Sequence, residues 1–191
     1  MHWNSKQDGQ LCIAIDMDEV LVDTLGKMLY DYNRHFGTNV VADDMHGTEL
    51  ADIVPDEHRP WVLQMLHQPG AFAALPPMPG SLDVMRQLCD QHRVYIASAA
   101  LEFPDSFRDK IDWIAHYVPQ IPVERIIFCG EKFVLDVDYL LDDTPAHFQG
   151  MRGTGLLFDA PHNRTHTAHT RVHGWHNVLP AIAHHQAIKR A

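Results

Sequence analysis

The chain has few cysteines, few positive charges and no long apolar run, and each shortage excludes a class of protein. Its cysteines, Cys12, Cys89 and Cys129, are odd in number and widely spaced among apolar neighbours. That pattern indicates reduced thiols rather than disulfides or a zinc site. The formal net charge of −10 argues against a binder of polymeric nucleic acid, because such binding depends on Lys and Arg displacing counterions.

No apolar run approaches the roughly 20 residues that cross a bilayer. Residues 1–7 are polar and lack the apolar core of a secretory signal. We therefore expect a protein without membrane contact and with a cytoplasmic location. With 191 residues, 46% of them hydrophobic, the chain can bury one substantial core and carry an inserted subdomain.

The most informative segment is a short apolar run from Leu11 to Ile15 that ends in Asp16 and Asp18. Such a run is typical of a strand buried on both faces of a parallel sheet, and ligands bind at the carboxyl ends of these strands. Because side chains alternate along a strand, both acids can project toward one ligand. The tripeptide alone is equally consistent with a solvated turn.

Helical and extended patterns alternate along the rest of the chain. The predicted elements are helices at 24–36, 82–89, 107–118 and 178–189, and strands at 94–98, 125–128, 137–141 and 154–158. This alternation predicts an α/β fold with a doubly wound parallel sheet. The proline cluster at 76–80 cannot continue a helix or a central strand and marks a boundary. We expect 1–23 and 81–191 to form the core, and 24–80 to form a small helical cap inserted after the first strand.

Histidine is abundant, with 15 in the chain and five of them between His162 and His176. Neutral imidazole is a common ligand of transition metals. The spacing of the five histidines, together with Asn163 and Gly174, favours a loop over a specific metal site.

Polar side chains follow three of the predicted strands, namely Asp16 and Asp18, Ser98, and Asp142 with Asp143. Lys132 lies just before the third strand. Acids and a lysine at one sheet edge are unfavourable unless a cation and an anion lie between them. Magnesium suits Asp16 and Asp142, and a phosphoryl group suits Lys132 and Ser98. Taken singly, Ser98 is also a common helix cap and Lys132 a common surface residue.

These residues carry a resemblance to a known superfamily. Asp16-Met17-Asp18-Glu19-Val20, Ser98, Lys132 and Asp142-Asp143 follow the order and approximate spacing of the four motifs of the haloacid dehalogenase (HAD) superfamily. Within it the chain most resembles the 5'(3')-deoxyribonucleotidases, on the segments 16–23, 77–80, 139–143 and 157–161 and on Trp175. The resemblance covers most of residues 11–178 and implies a HAD-like Rossmannoid core.

The resemblance implies a magnesium-dependent phosphomonoesterase that hydrolyses (deoxy)nucleoside monophosphates through an aspartyl-phosphate. Asp16 would attack phosphorus, and Asp18 would protonate the leaving oxygen and then activate water. The implied magnesium ligands are the Asp16 side chain, the Asp18 main-chain carbonyl and Asp142. Asp143 would orient Asp142 or Lys132.

The same resemblance implies how phosphate is held and what the chain contacts. Phosphate would meet Ser98, the Ala99 backbone N–H, Lys132 and a second lysine, Lys110. The substrate would be a small phosphomonoester. The resemblance also suggests that two copies of the chain form a homodimer.

Three positions depart from the family pattern. Glu19 replaces a glycine, Ser98-Ala99-Ala100 replaces Thr-Ser-Pro, and Thr24 stands where an aromatic residue stacks on the base.

The aromatic residues that could flank a base are then Phe72 and Trp61, although large aromatics are more often buried for packing. Two alternatives stay open: a HAD phosphatase of sugar or amino-acid phosphates, and a non-catalytic phosphate-binding module.

Overall fold

A six-stranded parallel β-sheet lies at the centre of the structure, a computed structural model that describes residues 9–190. The strand order is β3-β2-β1-β4-β5-β6. The strands are β1 Cys12–Ile15, β2 Arg93–Ser98, β3 Ile126–Phe128, β4 Tyr139–Asp142, β5 Thr154–Phe158 and β6 Thr170–Val172. All five strand pairings are parallel, which confirms the predicted α/β fold with a parallel sheet.

Six α-helices accompany the sheet among the described residues. They are α1 Thr24–Phe36, α2 Leu50–Ile53, α3 Arg59–Gln64, α4 Ser81–Gln91, α5 Ser106–Tyr117 and α6 Val178–Arg190. None of these helices is long and apolar enough to cross a membrane.

The first helix has the bounds that its spacing predicted. Asp23 caps its start by accepting a hydrogen bond from the Gly26 N–H at 2.8 Å. Gly37, with φ of 65°, ends it in the left-handed conformation that glycine adopts without strain.

The central strand determines where the polar side chains meet. Ile13, Ala14 and Ile15 of β1 are almost fully buried, as expected for a strand covered on both faces. β1 lies between β2 and β4, so β2 and β3 lie on one side of it and β4, β5 and β6 on the other. Ligands bind outside the carboxyl ends of strands at such a switch point, and Asp16, Ser98 and Asp142 all lie there.

The segment between β1 and α4 begins and ends close together at the edge of the sheet. Val22 bridges to Pro77, and the Met78 N–H donates to the Leu21 carbonyl at 2.9 Å. Within this segment a second apolar cluster surrounds Tyr32 and is built from Leu29, Tyr32, Met45, Leu50, Ala51, Val54 and Val62. Phe72 and Leu75 instead belong to the main core cluster. The division into core and cap stays a prediction, and its residues 1–8 lie outside the described part.

The histidine-rich segment is not a loop throughout, and the prediction is wrong for Thr170–Val172. These residues form β6, in which Arg171 pairs with Leu157 of β5. The three-residue strand contains a single apolar side chain, so no alternation of apolar and polar residues could predict it. Between residues 9 and 190, no histidine belongs to a group of three residues able to hold one metal ion.

Candidate active site

The predicted site residues meet at the carboxyl edge of the sheet. Asp16 follows β1 directly, and its N–H donates to the Leu141 carbonyl at 2.9 Å, which places it beside the end of β4. Asp142 is the last residue of β4 and Ser98 the last of β2. Ala99 begins the turn after Ser98 and is half-buried.

Lys132 bridges two of the acids. Its Nζ donates to Asp16 Oδ1 at 2.5 Å and to Asp142 Oδ2 at 2.7 Å. The lysine is buried, which lowers its pKa, but the two carboxylates outweigh the burial and raise the pKa above its ordinary value. Lys132 is therefore a permanent positive charge inside the site rather than a surface lysine.

Asp16 is a carboxyl group that ionises with difficulty in the isolated protein. Burial raises its pKa from 3.8 to about 6, Lys132 acts in the opposite direction, and the charges of Asp142 and Asp18 add to the rise. A positive charge in addition to Lys132 would favour its ionised, nucleophilic form.

Lys110 pairs with the second acid of the motif. Its Nζ donates to Asp18 Oδ2 and, at 3.0 Å, to Ser98 Oγ. It also lies 4.6 Å from the centre of the Phe72 ring. Asp18 Oδ1 is buried and has no hydrogen-bond partner among the described residues. Asp16 and Asp18 thus contact different lysines, and Lys132 is shared between Asp16 and Asp142.

The inward face of α5 is not wholly apolar. Phe107, Ile111 and Ile114 recur at helical spacing, but Phe107 and Ile111 are only half-buried. The fully buried positions of the helix are Ser106, Lys110, Trp113 and Ile114. Lys110 can be buried on this face because its ammonium group donates to the Asp18 carboxylate.

The two acids at the end of β4 have opposite environments. Asp142 Oδ1 accepts from the Thr144 N–H at 2.9 Å and contacts His147 Nδ1 at 3.0 Å. Burial raises the Asp142 pKa, but the His147 hydrogen bond and the Lys132 charge outweigh it, so the pKa is lowered. Burial and the charges of Asp16 and Asp142 raise the pKa of Asp143 well above its usual range.

A divalent cation fits this arrangement. Asp16, Asp142 and Asp143 each have a carboxylate oxygen within 4.8 Å of the others, and all three residues are buried. The raised pKa values of Asp16 and Asp143 show that one lysine does not neutralise the cluster. Hard oxygen ligands of this kind suit Mg²⁺.

Glu19 occupies an unusual backbone conformation beside the acids. Among residues 9–190 it is the one non-glycine residue with positive φ, at 59°. A side chain in the left-handed region costs roughly 1–2 kcal/mol relative to the right-handed one. Its carboxylate offsets part of that cost by accepting the Leu25 N–H of α1 at 2.5 Å. Burial raises its pKa to about 8.

The two aromatic candidates have different environments. Phe72 is 2% exposed and packs in the main core beside Phe103, so its contact with the site passes through Lys110. Trp61 is half-buried and stacks on His35, with ring centres 4.7 Å apart. It lines a cleft of about 650 Å³ between α1, α3 and the segment 68–75. Thr24, whose buried hydroxyl has no partner among the described residues, lines the same cleft.

Sequence reasoning missed three polar residues around Asp142 and Asp143. His147 contacts Asp142, and both His162 and Asn163 contact the main-chain carbonyl of Asp143. His162 and Asn163 lie in the segment whose histidines drew attention for metal binding, whereas these contacts depend on how the segment folds back onto β4.

Comparisons with known proteins identify the family of the chain. The model of the family described as 5' nucleotidase, deoxy (pyrimidine), cytosolic type C protein (NT5C) matches residues 10–188. A Staphylococcus epidermidis (strain ATCC 35984) protein, provisionally named as a 5'(3')-deoxyribonucleotidase, is 39% identical over 166 residues, 87% of this chain and 92% of that protein. The 5'(3')-deoxyribonucleotidase of Bacillus subtilis (strain 168) is 30% identical, over 87% of this chain and 95% of its own length.

Solved structures show the same fold. A HAD family hydrolase from Deinococcus radiodurans R1, with bound phosphate and sodium, aligns with a TM-score of 0.59 at 14% identity, over 93% of this chain and 97% of that one. A haloacid dehalogenase-like protein from Agrobacterium tumefaciens C58 gives a TM-score of 0.58 at 16% identity, over 94% and 100%. This chain therefore has the HAD-type fold and belongs to the NT5C family of phosphoric monoester hydrolases.

Proposed function

We propose that the chain is a magnesium-dependent 5'(3')-deoxyribonucleotidase that works through an aspartyl-phosphate on Asp16. The observation that carries the proposal is that the two acids of the motif contact different buried lysines, Asp16 with Lys132 and Asp18 with Lys110. One acid can then serve as nucleophile while the other transfers protons. The names of the family and of the relatives support the substrate class.

Asp16 and Asp143 are the side chains that we propose as magnesium ligands, together with the Asp18 main-chain carbonyl. The sequence suggested Asp142 in place of Asp143. The oxygens of Asp142 already accept hydrogen bonds from Lys132 and the Thr144 N–H and contact His147. The Asp143 carboxylate has a longer contact, 3.4 Å to His162 Nε2. When bound, Mg²⁺ supplies positive charge that neutralises phosphate oxygens and keeps Asp16 ionised.

The reaction then proceeds in two displacements at phosphorus. Asp16 Oδ attacks, the bond from phosphorus to the nucleoside oxygen breaks, and Asp18 donates its proton to that oxygen. Asp18, now ionised, accepts a proton from water as the water oxygen attacks the aspartyl-phosphate and releases Asp16 and inorganic phosphate. Lys110, bonded to Ser98 and Asp18, lies where it can bind phosphate oxygens through both steps.

We propose that the base of the substrate enters the cleft lined by Thr24 and Trp61. Its volume of about 650 Å³ suits a small ligand, and the half-buried Trp61 offers an aromatic face. The cleft supports a nucleoside monophosphate over a small sugar or amino-acid phosphate. We also propose a cytoplasmic location, which the free thiols of Cys12, Cys89 and Cys129 support. The homodimer stays a prediction.

Hydrolysis by wild type and by Asp16→Asn tests the reaction. With Mg²⁺, phosphate release from deoxynucleoside monophosphates should exceed release from sugar phosphates and phosphoserine in kcat/KM. The asparagine is nearly isosteric but not nucleophilic, so kcat should fall by about 10³-fold or more. A chelator should abolish the wild-type rate and excess Mg²⁺ should restore it.

The same assay separates the alternatives. A sugar or amino-acid phosphate as best substrate would move the assignment to another HAD phosphatase. Wild-type protein that releases phosphate from none of these compounds would favour the non-catalytic module. Undiminished turnover by Asp16→Asn would contradict the nucleophile.

Trp61→Ala tests the cleft. Loss of the aromatic face should raise KM for deoxynucleoside monophosphates by about tenfold, since stacking on a base contributes about 1–3 kcal/mol. KM for deoxyribose 5-phosphate, which has no base, should change little. Leu63→Ala, at an exposed position on the same helix, is the matched control. Equal effects on both substrates would show that Trp61 supports the fold and not the base.

Asp16→Asn should also stabilise the metal-free protein at neutral pH. The folded-state pKa of Asp16 is about 6, against 3.8 when exposed, so between these values the folded chain holds a proton that the unfolded chain has released. Wild-type stability therefore falls as pH rises from about 4 to about 6. The variant lacks this loss, and its advantage should grow from a small value at pH 4 to on the order of 3 kcal/mol at pH 7.5.

Denaturant unfolding in excess chelator measures this difference, with Asp56→Asn at an exposed position as control. A variant less stable than wild type at pH 7.5 would contradict the raised pKa. Asp143 is coupled to Asp16, whose charge raises the Asp143 pKa, so the loss of that charge in the variant adds to the expected stabilisation.

A further inference from the structure

The histidine-rich segment is organised by Arg171 on β6. The Arg171 guanidinium donates to Asp159 Oδ1 at 2.7 Å and to Asn163 Oδ1 at 2.6 Å. It also donates to the carbonyls of Asn163 at 2.9 Å and His166 at 2.6 Å. Four acceptors from one loop around a single guanidinium hold that loop in one conformation.

Arg171 also determines which way the Asn163 amide points. With Asn163 Oδ1 facing Arg171 and the Ala160 N–H, the Nδ2 atom faces the opposite side. There it donates to the carbonyl of Asp143 at 2.7 Å and to that of Phe158 at 2.8 Å. Asn163 is 3% exposed, so water does not compete for these bonds.

His162 reaches the same carbonyl from a second direction. Its Nε2 lies 3.2 Å from the Asp143 main-chain oxygen, and since a carbonyl only accepts, this nitrogen donates. It is also 3.4 Å from Asp143 Oδ2. Two donors on one carbonyl fix the peptide after Asp143, and they thereby fix the direction in which its side chain leaves the backbone.

We propose that His162, Asn163 and Arg171 are positioning residues that hold Asp143 in place as a ligand of the catalytic cation. The inference rests on the proposed function, because it assigns the segment a role in that function's metal site. When ionised, Asp143 is repelled by Asp16 and Asp142, which each have a carboxylate oxygen within 4.8 Å of one of its own. A ligand under such repulsion moves away unless its backbone is fixed. The hydrogen bonds of His162 and Asn163 fix the Asp143 backbone before a cation binds.

The competing interpretation is that these bonds merely support β6 as an edge strand. The two interpretations differ in what a variant loses. A structural role predicts lower stability with unchanged metal affinity, whereas a positioning role predicts weaker metal binding in a protein that remains folded. Groups that orient metal ligands typically contribute about 10–100-fold to metal affinity.

The experiment measures Mn²⁺ binding directly, by the electron paramagnetic resonance signal of the free ion, and the Mg²⁺ dependence of phosphate release. Asn163→Ala removes the stronger donor, and His162→Phe removes the other while keeping a ring of similar size. His162→Gln keeps an N–H donor and serves as the rescue. His176→Phe is the control, because His176 is exposed in the same segment and contacts Asn177.

The Kd for Mn²⁺ should rise about 10–100-fold in Asn163→Ala and about tenfold in His162→Phe. His162→Gln should stay within about threefold of wild type, and His176→Phe should not differ. At saturating Mg²⁺, kcat should stay within a few-fold, because Asp16 and Asp18 are untouched.

Wild-type Mn²⁺ affinity in folded Asn163→Ala and His162→Phe would overturn the proposal, and if Asn163→Ala does not fold, His162→Phe decides alone. An equal loss in His162→Gln and His162→Phe would also overturn it. Both of these results concern the variants alone, and in both the wild-type protein still binds Mn²⁺ and hydrolyses nucleotides. A wild type that does neither would refute the proposed function itself.

Discussion

The ion pairs of Lys132 with Asp16 and Asp142 are the constraint on which the rest of the site depends. Removing a lysine and two carboxylates from water costs several kcal/mol per ion, and only close mutual contact repays it. Two strand ends and one turn must therefore converge, since Asp16 follows β1, Asp142 ends β4 and Lys132 lies between β3 and β4. The parallel sheet supplies that convergence at the edge where β1 separates the two halves of the topology.

The lysines leave the acid cluster short of positive charge, and the proposed magnesium ion would supply it. Burial and neighbouring acids raise the pKa values of Asp16 and Asp143, which a cation at the proposed site would lower again. An arrangement built only for stability would give each acid a cation of its own, whereas Lys132 is shared by Asp16 and Asp142. Burial of Ile13 and Ile15 in the core holds β1 in place, and β1 in turn holds Asp16 at the sheet edge despite the repulsion among the acids.

Much of the site could be predicted from sequence because its signals are local. An apolar run that ends in Asp16 and Asp18, and another that ends in Asp142, indicate acids at a sheet edge. The position of Lys132 just before the second of these runs, together with the motif spacing, directed it to the same edge. Helical periodicity counts Lys110 as polar, so only the family resemblance directed it to the site, where the distant Asp18 carboxylate stabilises it in the interior. β6 and the contacts of Asn163 with Asp143 depend on residues far apart in sequence, which no window contains.

The central claim is that Asp16 carries the phosphoryl group between the two displacements. Rapid acid quench during turnover of a deoxynucleoside monophosphate, followed by mass spectrometry of the peptides, tests it most directly. The account predicts that one phosphoryl group is added to the peptide that contains Asp16, transiently and only when Mg²⁺ is present, with none in Asp16→Asn. A phosphoryl group found on another residue during turnover would contradict it.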